Sequence, residues 1–294
     1  MTDVTEPAPP PSSKQERPAR INWGAELRGL ALMLLAVLAF HSLLAKPFYI
    51  PSQSMMPTLL VGDRLLVSKY PYGWSWVSVS FHLLPRMEGR ILGSTPEYGD
   101  IVIAVPPDRN EDYIKRVIAL PGDRIALSNG QIILNGKPVP QAVEPAMRVE
   151  VDANSSCEEH IYPRMKVRMA SGRVYCEMPV YRETLPNGAT YLIIDHLRQP
   201  LDDMEEITIP AGHVFLMGDN RDHSADSRAE TYERGLGGPV PLRNIGGRAE
   251  FITFSLNGSE TLNPLSWLAA LRSQRAGRTL RPPLAEKEAG LGTE

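Results

Sequence analysis

Two side chains in this sequence have the types and surroundings for acyl-transfer chemistry, Ser54 and Lys115. Ser54 lies in Ile50-Pro51-Ser52-Gln53-Ser54-Met55-Met56-Pro57-Thr58-Leu59. The prolines fix φ and resist helix, so a stiff, extended loop is expected to hold the hydroxyl in one place. A serine hydroxyl becomes a nucleophile only with a base within hydrogen-bond reach. The six histidines are scattered, and His223, in a charged loop, reads as a surface polar residue. No histidine pair has the helical spacing of zinc ligands, so no metal is expected. Lys115 is the better base. In Tyr113-Ile114-Lys115-Arg116-Val117, strand alternation puts Lys115 on the face of Tyr113, Val117 and Ala119, and Arg116 on that of Ile114 and Ile118. Desolvation on an apolar face lowers an amine's pKa from about 10.4 toward the ~7–8 range where it can take a proton. Arg116 cannot do this, because a guanidinium stays charged. Spacing alone leaves blander readings open: Lys115 reaching water at the sheet edge, and the Ser54 stretch as a proline-rich linker.

The elements that must position these residues follow from the rest of the chain. Of its 294 residues 43% are hydrophobic and 22% charged, with a net charge of −3, which gives no support for bulk binding to nucleic acid. No phosphate-cradling glycine motif or paired-cysteine metal motif occurs, and no cofactor is implied. The 27 prolines and 23 glycines favour a body of strands and turns.

Residues 1–26 read as a disordered tail, too poor in apolar residues to fold alone. Residues 27–46 read as a transmembrane anchor, uncharged from Gly29 to Ala45. A buried core helix and a cleavable signal sequence are the alternatives; Leu43 stands where the latter wants a small residue. Lys14, Arg17, Arg20 and Arg28 precede the run against Lys46 after it, which places the N-terminus in the cytoplasm. A β body is expected over 47–137 and 210–258, with an inserted β-subdomain at 138–209 and a basic tail at 259–294. Asn129-Gly130 and Asn135-Gly136 mark tight turns. Trp74 to Leu84 is apolar and aromatic, either a core hairpin or a ribbon dipping into a bilayer surface. The tail from Leu265 either lies on an anionic bilayer or frays in water. Cys157 and Cys176 are either a disulfide, worth about 3 kcal/mol, or two buried thiols.

Four motifs in order resemble type I signal peptidases, the membrane-anchored Ser/Lys proteases of bacteria. They are Pro51 to Leu59, Gly62-Asp63 through Tyr70, Tyr113 to Val117 with Pro121-Gly122-Asp123, and Gly218-Asp219-Asn220-Arg221-Asp222 through Arg228. The resemblance implies a mainly β fold: an antiparallel β-sheet catalytic body of signal peptidase/LexA-like type, an inserted β-subdomain and one N-terminal transmembrane helix. It implies Ser54 as nucleophile, Lys115 as general base, and Ser52 with the Ser54 N–H as oxyanion hole. It further implies that Ser224 orients Lys115, that Asp226, Arg228 and Asp219 brace the loop, and that Phe48, Ile50, Met55, Leu59 and Ile114 wall the substrate pockets. The implied activity is removal of signal peptides from secretory preproteins after Ala-x-Ala-like sites. The implied place is the bacterial cytoplasmic membrane, single-pass, facing its outer side, with membrane lipid as a further partner. Two rivals share some features: a self-cleaving LexA-like repressor, which needs a DNA-binding domain where this chain has an anchor, and a membrane-tethered β module that binds exported chains without cutting them.

Overall fold

The computed structural model describes residues 22–80 and 84–285. The expected N-terminal tail up to residue 21, Phe81 and Leu83 of the aromatic stretch, and the last nine residues lie outside it.

Helix α1 (Trp23–Leu43) carries leucine, alanine, methionine and valine around its whole circumference, and its large apolar side chains are exposed. A helix apolar on every side needs an apolar surrounding. Its 21 residues span about 32 Å at ~1.5 Å per residue, enough for a ~30 Å hydrocarbon core. It starts four residues earlier than expected because Asn22 closes its first turn, its carbonyl accepting from the N–H groups of Ala25 and Glu26. The described residues up to Leu38 belong to one unit, and every strand among the described residues belongs to the second, from Ala39 onward.

In that second unit the first four strands are β1 (Ala45–Tyr49), β2 (Asp63–Ser68), β3 (Ile101–Ala104) and β4 (Tyr113–Ala119). Next come β5 (Arg124–Ser128), β6 (Gln131–Leu134) and β7 (Lys137–Pro138), joined by the two expected turns. Asn129 and Gly130 have φ of 53° and 83°, Asn135 and Gly136 53° and 76°, the mirror-image conformation that suits a twisted hairpin. Then follow β8 (Gln141–Glu150), β9 (Lys166–Arg168), β10 (Val174–Thr184), β11 (Thr190–Ile193) and β12 (Met204–Thr208). The last are β13 (His213–Met217), β14 (Val240–Pro241), β15 (Ile245–Ser255) and the short helix α2 (Pro264–Ala270). The main sheet is antiparallel throughout, in the order β1-β2-β15-β3-β4-β13-β14. A second sheet runs β11-β10-β8, with β9 on β10, and a third β12-β5-β6-β7.

The expected division at 137/138 and 209/210 is not how the strands pair. β12, inside the expected insert, joins β5 of the body, with Ile207 opposite Ile125. The reason is a shared core: Met204 and Ile207 of β12 pack against Ile125, Leu127 and Ile132, together with Tyr191, Ile193 and Phe215. β11 gives Tyr191 and Ile193 to that core, while by strand pairing β8 to β11 form a sheet of their own. Cys157 and Cys176 are joined as a disulfide within this layer.

The aromatic stretch also differs from both expectations. Trp76 and Val77 sit in a short 3-10 turn and are buried against Val105, so this part is a plug and neither hairpin nor ribbon. The C-terminal segment is no free tail as far as Ala285. Gly277 N–H donates to Ile252 O, Leu280 N–H to Glu250 O, and Thr190 N–H to Pro283 O. Leu280 enters the core beside Ile50 and Ile252, and Arg275 is buried in a bidentate pair with Asp63 (2.8 and 2.5 Å). Three of the basic residues that suggested an anionic surface are spent on the protein's own carboxylates: Arg272 on Asp152, Arg275 on Asp63, Arg281 on Glu250.

Candidate active site

The segment around Ser54 is coiled where an extended loop was expected. Met56 N–H donates to Gln53 O (3.0 Å) and Leu59 N–H to Met55 O (2.8 Å), so turns begin between the two prolines. Pro51 and Pro57 bound the coil and do not straighten it. Its ends are tied by Gly62 N–H to Ile50 O (3.0 Å) and Ile50 N–H to Asp63 O (3.0 Å).

Lys115 comes from the middle of β4, between β3 and β13, where it is 3% exposed. Its Nζ lies 3.0 Å from Ser54 Oγ and 3.0 Å from Ile114 O, with the Tyr113 ring 5.5 Å away. Burial lowers its pKa to about 8, the Asp226 and Asp219 charges working in the opposite sense. The reading in which Lys115 reaches water is thereby set aside. Ser52 Oγ is 3.4 Å from Ser54 Oγ, and among the described residues the Ser54 N–H meets no acceptor.

The loop after β13 closes over this pair from behind. Gly218 is required by close approach: a Cβ there would lie 2.2 Å from Ser224 Oγ and 2.4 Å from Ser54 O. Ser224 is buried beside it, but its Oγ makes no hydrogen bond to Lys115; the ammonium's second contact is Ile114 O. Asp226 and Arg228 form a bidentate pair (2.9 and 3.0 Å), and Asp226 also accepts from Gly218 N–H (3.0 Å). Burial opposes the Asp226 charge, but Arg228 outweighs it and holds the carboxyl below its ordinary pKa. Asp219 belongs to a different pair. It takes Arg116 from the opposite face of β4 (2.7 and 2.6 Å), and Thr58 Oγ1 donates to it (2.5 Å).

In front of Ser54 lies a cleft of about 460 Å³, walled by Phe48, Ile50 and Pro51 on one side and by Tyr113 and Ile114 on the other. Met55 and Leu59 do not line it. Both are fully buried in the core with Ile101 and Ile103. A larger cavity, about 600 Å³, lies between Tyr191 and the Arg278–Pro283 segment and contains neither Ser54 nor Lys115.

Two groups of residues carry no local signal. Arg116 stands out in the sequence only as the residue unfit to be a base, yet it anchors Asp219. Tyr162, from the disulfide-bearing layer, donates to Gln53 Oε1 (2.7 Å) and accepts from Asn220 Nδ2 (3.2 Å). Asn220 lies inside a recognised motif without a role of its own; Tyr162 lies inside none.

A hydroxyl, a buried amine of lowered pKa and a free backbone N–H around one cleft can do acyl transfer without a histidine. Residues 22–254 match the family model described as signal peptidase, peptidase S26. A signal peptidase I from Rickettsia canadensis is 34% identical over 276 residues, covering 87% of this chain and 92% of that protein. One from Rickettsia felis is 35% identical over 254 residues, 83% and 82% of the two chains. A solved signal peptidase I from Enterococcus faecalis is 19% identical and covers 53% of this chain and 97% of its own, at a TM-score of 0.28. With its matched region running from the anchor helix through β15, this chain belongs to the signal peptidase family, peptidase S26.

Proposed function

We propose that this protein removes signal peptides from secretory preproteins by a Ser54/Lys115 dyad. The observation that carries the reading is the 3.0 Å contact between Ser54 Oγ and the Nζ of a buried Lys115 at the edge of the cleft. In the neutral amine one N–H stays on Ile114 O and the lone pair accepts the Ser54 proton. Ser54 Oγ attacks the scissile carbonyl, whose oxygen gains negative charge and is met by the Ser54 N–H and the Ser52 hydroxyl. Lys115 then protonates the leaving amine. Water, deprotonated by the same lysine, releases the acyl-enzyme.

The substrate lies extended in the cleft between the Phe48–Ile50 edge and Tyr113–Ile114, adding beside a strand. Phe48, Ile50 and Ile114 leave room for small side chains near the cut, which favours Ala-x-Ala. Met55 and Leu59 act from beneath, by fixing that floor. α1 crosses the bacterial cytoplasmic membrane with its N-terminus inside, and the body works on the outer side. Lipid contact by the body falls to α2, whose Leu265, Trp267 and Leu268 are exposed, since Trp76 and Val77 are interior.

The test is cleavage of an Ala-x-Ala preprotein in detergent by wild type, Ser54→Ala and Lys115→Ala. Wild-type release with both variants inert supports the dyad. Equal cleavage by Ser54→Ala removes Ser54 as nucleophile, and no cleavage by wild type favours a module that binds without cutting.

A further inference from the structure

We propose that Asn220 is the positioning residue of the oxyanion hole, orienting the two peptide planes that flank Ser54. The inference rests on Ser54 being the nucleophile. Asn220 is completely buried at the start of the loop after β13. Its backbone N–H donates to Ser54 O (3.1 Å), and its Nδ2 donates to Gln53 O (3.2 Å). One residue thus holds the carbonyls on both sides of the nucleophile.

A trans peptide is planar, and its C=O and N–H point in opposite directions. Fixing Gln53 O therefore fixes the direction of the Ser54 N–H, the donor that meets no acceptor among the described residues. Fixing Ser54 O sets the next plane, so both backbone torsions of Ser54 are determined. Gln53 O can only accept, which requires that the amide NH₂ of Asn220, and not its oxygen, face it.

The second Nδ2 hydrogen goes to Tyr162 OH (3.2 Å), which in turn donates to Gln53 Oε1 (2.7 Å). The ring closes on itself: Asn220 to Tyr162, Tyr162 to Gln53, and Asn220 to Gln53 again. Tyr162 is 2% exposed and packs with Met56 and Leu60 of the nucleophile turn and with the two cysteines. The disulfide layer thus holds the hydroxyl that holds Asn220. Donors that meet a developing oxyanion act through being fixed beforehand, so this brace bears on the rate more than on substrate affinity.

The experiment uses the full-length enzyme in detergent, with Asn220→Asp (same shape, no NH₂) and Tyr162→Phe (one hydroxyl removed). For Asn220→Asp, kcat is expected to fall about 10- to 100-fold, less than the ~10²- to 10³-fold for deleting an oxyanion donor outright. KM and the apparent pKa of the pH–rate profile stay as in wild type. A peptide aldehyde, whose adduct with Ser54 carries the oxyanion, weakens in parallel with kcat. A peptide with a reduced amide at the cut site binds as before. Tyr162→Phe shows the same pattern at several-fold and decides the matter alone if Asn220→Asp does not fold. Wild-type kcat in Tyr162→Phe and any folded Asn220→Asp, or equal weakening of aldehyde and reduced-amide peptides, overturns the proposal. Ser54→Ala is assayed alongside; if it still cleaves, the nucleophile reading has failed and not the brace alone.

Discussion

In the proposed dyad, Ser54 and Lys115 divide the chemistry by environment. The lysine is useful because β4 buries it, and its lowered pKa of about 8 makes it a base only when the proton is gone. Below that value each pH unit leaves about tenfold less neutral amine, so kcat/KM should rise with slope one on the acid side and level off near pH 8. Lys69 complicates the assignment. It is buried too, and desolvation also lowers its pKa to about 8, against the pull of Asp112. Its ammonium stands 5.9 Å from the Phe48 ring, on the cleft wall and not on the nucleophile. The expected outcome is that Lys69→Met keeps the acid limb of the pH–rate profile, whereas Lys115→Ala removes turnover altogether. A limb that moves with Lys69→Met would make Lys69 the titrating group.

At the scale of elements, the nucleophile turn is clamped from three directions: the loop after β13, the disulfide layer and the C-terminal segment. The last lies beyond the residues matched by the family model, yet Arg275 reaches both carboxylate oxygens of the fully buried Asp63 and donates to Thr58 O (2.9 Å). Removing one partner of a buried pair strands the other charge, so Arg275→Met should cost about 3–5 kcal/mol in denaturant unfolding. Asp63→Asn in the same chain should recover part of that loss. The Cys157–Cys176 bond closes a short loop (sequence separation 19) over Tyr162, Met56 and Leu60. Replacing both cysteines by serine should cost about 3 kcal/mol by the chain-entropy model. Unchanged unfolding midpoints would show that packing alone holds this layer.

For the whole molecule, the proposed function joins an apolar helix long enough to cross a membrane to a cleft that takes exported chains. The exposed side chains of α2, with Leu262 and Leu271 on its flanks, form an apolar surface outside the anchor. An apolar patch of this kind is a candidate lipid contact. Changing Trp267 and Leu268 to serine in a form lacking residues 1–44 should reduce binding to neutral phosphatidylcholine vesicles severalfold. Because Arg272, Arg275 and Arg281 are paired internally, added anionic lipid should change binding little. Strong dependence on anionic lipid would restore the basic-surface reading.

The sequence by itself determined the apolar helix and the hairpins, and it singled out Ser54 and Lys115, which the structure brings within 3.0 Å of each other. Each of these depends on local or motif-level information: an uncharged apolar run, Asn-Gly turns that need positive φ, and a lysine at the inward phase of a strand. It did not determine how the layers merge, because the pairing of β12 with β5 is decided by which apolar faces meet across the fold. Proline content misdirected the shape of the Ser54 turn, where tertiary partners such as Asn220 and Asp63 set the backbone. Composition likewise misdirected the C-terminal arginines, since a charge looks free in a sequence until its buried partner is brought alongside. Met55 and Leu59, expected in the cleft, lie beneath it for the same reason. Which side of a compact turn faces solvent is a property of everything packed around it, and only the tertiary structure decides that.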